Sequence, residues 1–545
     1  MPKNKGNRGP QVTEADYVVV GAGSAGCAVA GRLAEAGKSV ILLEAGGPDS
    51  SIMFRRPGMI TMIHSDPRLK SRFDWGFYNA PQPHLNNRKI PATRGRLMGG
   101  SGSVNGMIFV RGHRGNFDSW EAEGNKGWGY DEVLKTYKRM EDWELGASEY
   151  RGAGGPVRVI ENHHISDAAK TFIEAGASAL DLPVNPDYNG AEQEGMHVIQ
   201  ENTHQGTRYS SSRGYLTGRE LPTLSVQTGG TATRVLLENG RATGVEVADA
   251  SGGRRTVRAG TEVILAGGAF GSPQLLMLSG IGPSAHLAEH GIDVVADLPV
   301  GDNLHDHIFV PMTYVVDNSP HRSTPFHFGR GILEDRLRPG VTFMAHSVFE
   351  AGGFTSTSVA EAGIPDLQLF AIPWAYPPNQ DAPVRLKPDK RPSLSVFSTL
   401  VQPRSRGTLR LTSSDPLAPP VIDPNYLAEP DDLKVLMEGI DMIRSVMSDA
   451  AIAAHVREES EPGSSYSGEA LKQEVLNRAT TVYHPVGSCR MGVDERAVVG
   501  PDLKVRGVEG LRVADASIMP TIISGNTNAP SMMIGDKAAD LVLEG

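Results

Sequence analysis

Cysteine is scarce. The 545-residue chain holds two, Cys27 and Cys489, far apart in sequence. Two distant thiols build neither a disulfide framework nor a cysteine-based zinc site, and they fit a reducing compartment. Long apolar runs are missing too. Runs such as those at residues 17–20 and 40–43 fall far short of the roughly 20 residues that cross a bilayer. A charged start (Lys3, Lys5) is followed by no apolar stretch before Tyr17, so the central segment of a secretory leader is lacking. The expectation is a cytoplasmic protein with no transmembrane segment. No long basic run occurs and the formal net charge is −10, which argues against a nucleic-acid partner.

What is present is an ordinary globular composition, 39% hydrophobic and 21% charged, long enough for more than one domain. The 63 glycines sit in short turns, with no repeat. Residues 1–14 are polar and without periodicity, which predicts a flexible tail. The pattern then changes. A β-rich run at 17–20 meets Gly21, Gly23 and Gly26, a small-residue helix is predicted over 27–36 with Gly37 at its C-cap, and a second buried strand at 39–43 ends at Glu44. Short strands separated by glycine turns are expected at 224–228, 234–237, 242–248 and 256–258, a buried strand at 262–266, and a helix at 271–279. Residues 511–514 read as a strand that returns to the first style, with a helix from about Ser531.

The first of these units is a dinucleotide-binding fingerprint. Gly21 makes the tight turn, Gly23 lets backbone approach a pyrophosphate, and Gly26 permits close packing of helix on strand. The helix N-terminus offers free N–H groups to phosphates. Glu44, at the end of the second strand, is placed to accept from ribose hydroxyls. The turn alone leaves FAD and NAD equally open.

A second glycine-rich stretch carries a resemblance. Arg94, Gly95, Gly99, Gly100, Ser101, Ser103, Asn105 and Gly106 match R-G-x-x-x-G-G-S-x-S-x-N-G, and residues 268–282 match a second signature. From about residue 16 to the C-terminus the chain resembles the glucose–methanol–choline (GMC) oxidoreductases. The resemblance implies a Rossmann-type FAD-binding domain of discontinuous segments (15–155, 216–300 and 478–545) with an inserted mixed-sheet substrate-binding domain (156–215 and 301–477), an α/β and α+β fold. It further implies FAD contacts from Gly21, Gly23, Ser24, Gly26, Glu44, Ala45, Gly100, Asn105, Gly106, Met107, Val235, Asp515, Ala516, Asn526 and Thr527. Some relatives attach FAD through a histidine where this chain has Val104, so non-covalent FAD is expected here.

The same resemblance singles out His484, followed by Pro485, and Asn528 as the catalytic pair. Hydride transfer from an alcohol carbon needs a base for the hydroxyl proton, which imidazole provides, and a polar group to hold the oxygen. His484 is assigned as base and Asn528 as its hydrogen-bonding partner. His305 and His307 belong to a structural turn, and no metal site is expected. His163, His164, His321 and His327 read as solvated, and residues 319–330 as a lid over the cavity. Phe349, Glu350, Phe370 and Trp374 are candidates for the substrate wall. Glu350 either holds a cationic group or, the preferred reading, serves a structural salt bridge. The expected activity is oxidation of a primary or aromatic alcohol, with oxygen or a quinone-type molecule as electron acceptor. A hydroxynitrile lyase on the same fold is the alternative. No G-x-S-x-G elbow occurs, which removes the serine hydrolases.

Overall fold

The computed structural model describes residues 12–249, 251–322, 324–361, 363–376 and 390–545. Of the expected tail, residues 1–11 lie outside the described residues. The rest of it runs into the first strand, β1 (Glu14–Val20). Helix α1 (Ser24–Glu35) follows the glycine turn, Gly37 lies just beyond it with a φ of +77°, and β2 is Val40–Glu44. Val18, Val19, Ile41 and Leu42 are fully buried. Such continuous apolar strands, covered on both faces, are what a parallel sheet requires.

β1 pairs in parallel with β2 on one side and with residues Glu262 to Leu265 on the other. Leu224–Thr228 extends the parallel sheet beyond β2, and Leu511–Val513 adds to it from the far end of the chain. The strands expected separately at 256–258 and 262–266 form one strand, Arg254–Leu265. Its first half pairs antiparallel with Arg241–Asp249 and its second half pairs with β1, so the strand changes partners without a turn. Helix α2 (Gly268–Leu278) starts three residues earlier than expected. So does α3 (Asn528–Leu543), whose Pro530 falls in the first turn, where a missing N–H costs nothing.

A second sheet runs in the order Val456–Glu461, Ile308–Val316, Ser393–Leu400, Leu367–Ile372, Ala351–Thr355 and Gly195–Val198. The pairings between these six strands are antiparallel, and Val184 adds a parallel bridge to Met196 at the edge. The period-2 alternation of these strands builds two different surfaces. Val310, Leu369 and Val396 pack in the core beneath the helices Asp167–Leu180 and Pro430–Met447. Their neighbours Phe309, Phe370 and Phe397 gather in a separate aromatic cluster. Thr480–Thr481, expected on the nucleotide side, pairs with Ile308–Val316. The chain therefore leaves the second sheet only three residues before His484.

Candidate active site

Between the two sheets lies a cavity of about 1400 Å³. It extends from Glu44 and Ala45 past Gly21, Gly23 and Ser24 to His484 and the aromatic cluster. At the Glu44 end the carboxylate is buried. Its Oε2 accepts from the N–H of Ala22 at 3.0 Å and its Oε1 from the N–H of Gly46 at 2.7 Å. Burial pushes its pKa up to about 7, against the pull of those backbone donors. The two donors tie this acid to the glycine turn it serves.

Gly23 lines the cavity and Gly26 does not. A Cβ on Gly26 would lie 1.8 Å from the carbonyl oxygen of Gly21, so this glycine serves helix–strand packing rather than ligand contact. Gly100 has a φ of +53°, and a Cβ there would lie 2.8 Å from Cα of Gly23, so the two glycine-rich stretches meet at the cavity wall. Val235 is a correction. Its N–H donates to Ser279 Oγ at 2.8 Å and its side chain is buried, whereas Gly230, Thr231 and Ala232 form the wall. Asp515 and Ala516 line the middle of the cavity. Asp515 accepts from the Gly268 N–H and from Ser272 Oγ, holding the start of α2 against this wall. Asn105, Gly106 and Met107 line the far half. Asn105 Oδ1 accepts from Arg208 Nη1 at 2.6 Å and from the N–H of Met107 at 3.0 Å.

The two asparagines flanking Thr527 exchange the places expected for them. Asn528, the first residue of α3, accepts from Ser24 Oγ at 2.6 Å, which puts it at the glycine turn. Asn526 lies with its Nδ2 3.3 Å from His484 Nε2. The amide beside the histidine is therefore Asn526, while Asn528 and Thr527 line the cavity nearer the nucleotide turn. The reason is geometric: a residue opening α3 projects towards α1, and one two positions earlier does not.

His484 is held from behind. Its N–H donates to Asp306 Oδ1 at 2.7 Å, and Asp306 Oδ2 accepts from Tyr426 Oη at 2.6 Å and from Thr481 Oγ1. Its ring meets His307, with the two Nδ1 atoms 3.0 Å apart. His307 Nε2 lies 3.0 Å from the carbonyl oxygen of Val401, which only accepts, so His307 carries its proton on Nε2. Burial lowers the pKa of His307 to about 3, leaving the ring neutral and its Nδ1 bare. His484 must then donate from Nδ1, and its own Nε2 is the bare nitrogen turned towards Asn526. Burial, His307 and Arg94 hold the pKa of His484 well below the ordinary histidine value, so it too is neutral. Sequence reading placed His307 in a structural turn and missed this contact, whose partners His484 and Val401 come from other segments. His305 does fill the structural role, taking the N–H of Ile522 at 2.9 Å.

Phe349, Phe370 and Trp374 line the same cavity as His484, joined by Phe309, Tyr376 and Phe397. The Phe349 and Phe370 rings meet edge to face at 5.4 Å. Glu350 does not line the cavity. It is 1% exposed, with Oε1 2.5 Å from Arg322 Nη1 and Oε2 accepting from the N–H and Oγ of Ser166 at 2.7 and 2.6 Å. Arg322 lines the cavity, its guanidinium 4.8 Å from the Phe343 ring centre, as does Arg94, which donates to the carbonyl oxygen of Tyr483. Of the histidines read as solvated, His163 pairs with Glu144 at the surface, His164 stacks on His346, and His321 stacks on His327. Among the described residues no cluster of three or more His, Cys, Asp or Glu is arranged to hold a metal ion.

Two buried oxygens on the cavity wall, Thr93 Oγ1 and Asn526 Oδ1, have no hydrogen-bond partner within the protein. Together with the glycine approach at Gly23 and Gly100, they fit a polar ligand extended along the cavity. A cavity that begins at a ribose-type carboxylate and ends at a neutral histidine defines a dinucleotide-dependent oxidoreductase. The GMC oxidoreductase family models match residues 15–309 and 403–535. The chain belongs to this family, and its cofactor is FAD. It is 38% identical over 538 residues to an alcohol dehydrogenase [acceptor] of Pseudomonas putida, covering 97% of this chain and 95% of that protein. It is 39% identical over 541 residues to an oxygen-dependent choline dehydrogenase of Sinorhizobium medicae, covering 97% and 96%. Among solved structures, a formate oxidase of Aspergillus oryzae superposes with a TM-score of 0.89 at 27% identity, over 98% of this chain and 99% of that one. Among the described residues no helix is long and apolar enough to cross a membrane.

Proposed function

We propose that this chain oxidises an uncharged primary alcohol bearing an aromatic or similarly bulky apolar group to its aldehyde, with His484 as general base and Asn526 as the donor that holds the alcohol oxygen. The observation that carries the reading is the bare Nε2 of His484, 3.3 Å from Asn526 Nδ2 in a cavity with an aromatic wall. The substrate hydroxyl lies between these side chains. Its proton passes to His484 Nε2, and Asn526 Nδ2 donates to the oxygen as negative charge develops there. FAD, when bound, supplies the acceptor for the hydride leaving the carbon. Gly21, Gly23, Ser24, Glu44, Ala45 and Asp515 would hold its nucleotide half, and Gly100, Asn105, Gly106 and Met107 would hold the other half. Val104 offers no nucleophilic nitrogen, which supports non-covalent binding. Oxygen or a quinone-type molecule takes the electrons onward.

The names of the relatives support an alcohol donor. Against a quaternary ammonium substrate stands the use of Glu350: its charge is paired with Arg322, and its side chain does not line the cavity. The test is anaerobic mixing of the FAD-loaded protein with a panel of aliphatic, aromatic and cationic alcohols while the flavin absorbance is followed. Bleaching fastest with aromatic primary alcohols supports the reading. Bleaching by choline alone overturns the substrate class, and an unbleached flavin with every alcohol returns weight to a lyase.

A further inference from the structure

The helix Pro325–Leu337 turns its apolar side chains outward. Phe326, Leu333 and Leu337 are 75%, 58% and 73% exposed, and their spacing of seven and four places them on one face. Ile332 on the helix flank and Val341 just past the helix are exposed as well. The opposite face is committed to the protein. A Cβ on Gly331 would lie 2.3 Å from the Phe343 ring, and buried Asp335 pairs with Arg56 at 3.2 Å. Phe328 and Phe343 belong to the cavity wall. A solvated helix has the reverse arrangement, with its apolar stripe inward.

The charge around this stripe is as unusual as its exposure. The most exposed charged residues of the helix and the four residues after it are Arg330, Arg336 and Arg338, with Glu334 less exposed. Glu334 is partly covered and pairs with Arg330 at 2.6 Å. On a chain of net charge −10 this is a local surplus of positive charge. Outward aromatic and leucine side chains flanked by arginines are the pattern of a helix that lies in the boundary between lipid headgroups and acyl chains. The basic residues complement anionic headgroups. A second copy of the chain packed face to face would set the same arginines against one another.

We propose that this helix seats the protein on an anionic lipid surface, with Phe326, Leu333 and Leu337 entering the headgroup–acyl boundary and Arg336 and Arg338 meeting lipid phosphates. The proposal stands apart from the identity of the alcohol, because none of these side chains lines the cavity. Seated this way, the cavity wall formed by Phe328 and Phe343 lies directly behind the lipid contact.

The test is flotation of the FAD-loaded protein with phosphatidylcholine vesicles, with and without phosphatidylglycerol. The wild type floats with the phosphatidylglycerol vesicles, floats less at high salt, and stays behind with phosphatidylcholine alone. The triple variant Phe326→Ser, Leu333→Ser, Leu337→Ser and the double variant Arg336→Glu, Arg338→Glu each lower the bound fraction about tenfold or more. Both keep the FAD absorbance and thermal midpoint of the wild type, which separates lost docking from lost folding. Wild-type protein that ignores both vesicles overturns the proposal. So do variants that float like the wild type, and so does a wild-type dimer that the triple variant splits in the absence of any vesicle binding.

Discussion

The Nδ1 atoms of His307 and His484 lie 3.0 Å apart, and this contact decides which nitrogen of His484 faces the substrate cavity. Val401 fixes the tautomer of His307, His307 fixes that of His484, and the bare Nε2 meets Asn526. On the proposed mechanism His307 is a positioning residue. Replacing it by leucine removes the acceptor, and the rate of flavin reduction should fall roughly 10²-fold or more, since a misoriented base forfeits much of its 10²–10⁴ contribution. His307→Gln keeps one acceptor and one donor and should recover most of that loss. Equal losses in the two variants, with KM rather than the limiting rate affected, would mean that His307 only fills space.

The two asparagines should separate cleanly. Asn526→Ala is expected to lower flavin reduction at saturating alcohol by about 10²–10³, the cost of removing one oxyanion donor. Asn528→Ala breaks the contact with Ser24 and should weaken FAD retention while leaving the reduction rate of the loaded protein close to normal. Single-turnover reduction and FAD titration of the apoprotein measure the two effects independently.

Acid should affect chemistry and stability in different ranges. Because the pKa of His484 is held well below the ordinary histidine value, its base form persists below pH 6.5. The acid limb of the flavin reduction rate should therefore lie beneath the usual histidine range. Stability responds sooner. His197 and His307 have pKa values lowered to about 3 by burial, and both are neutral in the fold. The unfolded chain takes up protons on them from about pH 6.5 downward, so it binds more protons than the native state between those limits. Their contribution is complete above pH 6.5 and is lost as pH falls towards 3. The thermal midpoint should drop steadily from pH 7 to pH 5; a flat profile contradicts this.

FAD should be held by shape and hydrogen bonds rather than by a covalent bond. Acid precipitation of the protein should release its yellow colour into the supernatant. Gly23→Val should yield colourless but folded protein, because the side chain occupies the approach of the pyrophosphate.

Glu350 should matter to stability and not to the choice of a cationic substrate. Glu350→Ala leaves Arg322, 9% exposed, without its partner, a loss of roughly 3–5 kcal/mol by comparison with other broken buried ion pairs. The thermal midpoint should fall markedly, and choline should remain a poor substrate in wild type and variant alike.

Much of this was legible in the sequence where local chemistry and tertiary role coincide. Gly21, Gly23 and Glu44 declare their positions because a strand, a turn and a helix must follow one another there. Phe349, Phe370 and Trp374, named as candidates for the substrate wall, line the cavity. The failures all concern direction. Asn526 and Asn528 have equivalent surroundings in sequence, and only the start of α3 decides which of them looks at Ser24. Val235 lies three positions beyond Ala232, and one strand's phase determines which reaches the cavity. For Glu350 the preferred reading, a structural salt bridge, agrees with the structure, but its partners Arg322 and Ser166 are distant in sequence and carry no local mark. His307 carries no local mark at all, since its partners come from Val401 and His484 on separate segments.

The most direct test of the central claim is the anaerobic rate of flavin reduction by an aromatic primary alcohol in FAD-loaded wild type and in His484→Ala, each followed at saturating substrate. The account predicts a yellow variant whose reduction is slower by about 10²–10⁴ or more. A variant that loads FAD and bleaches at the wild-type rate would show that His484 is not the base.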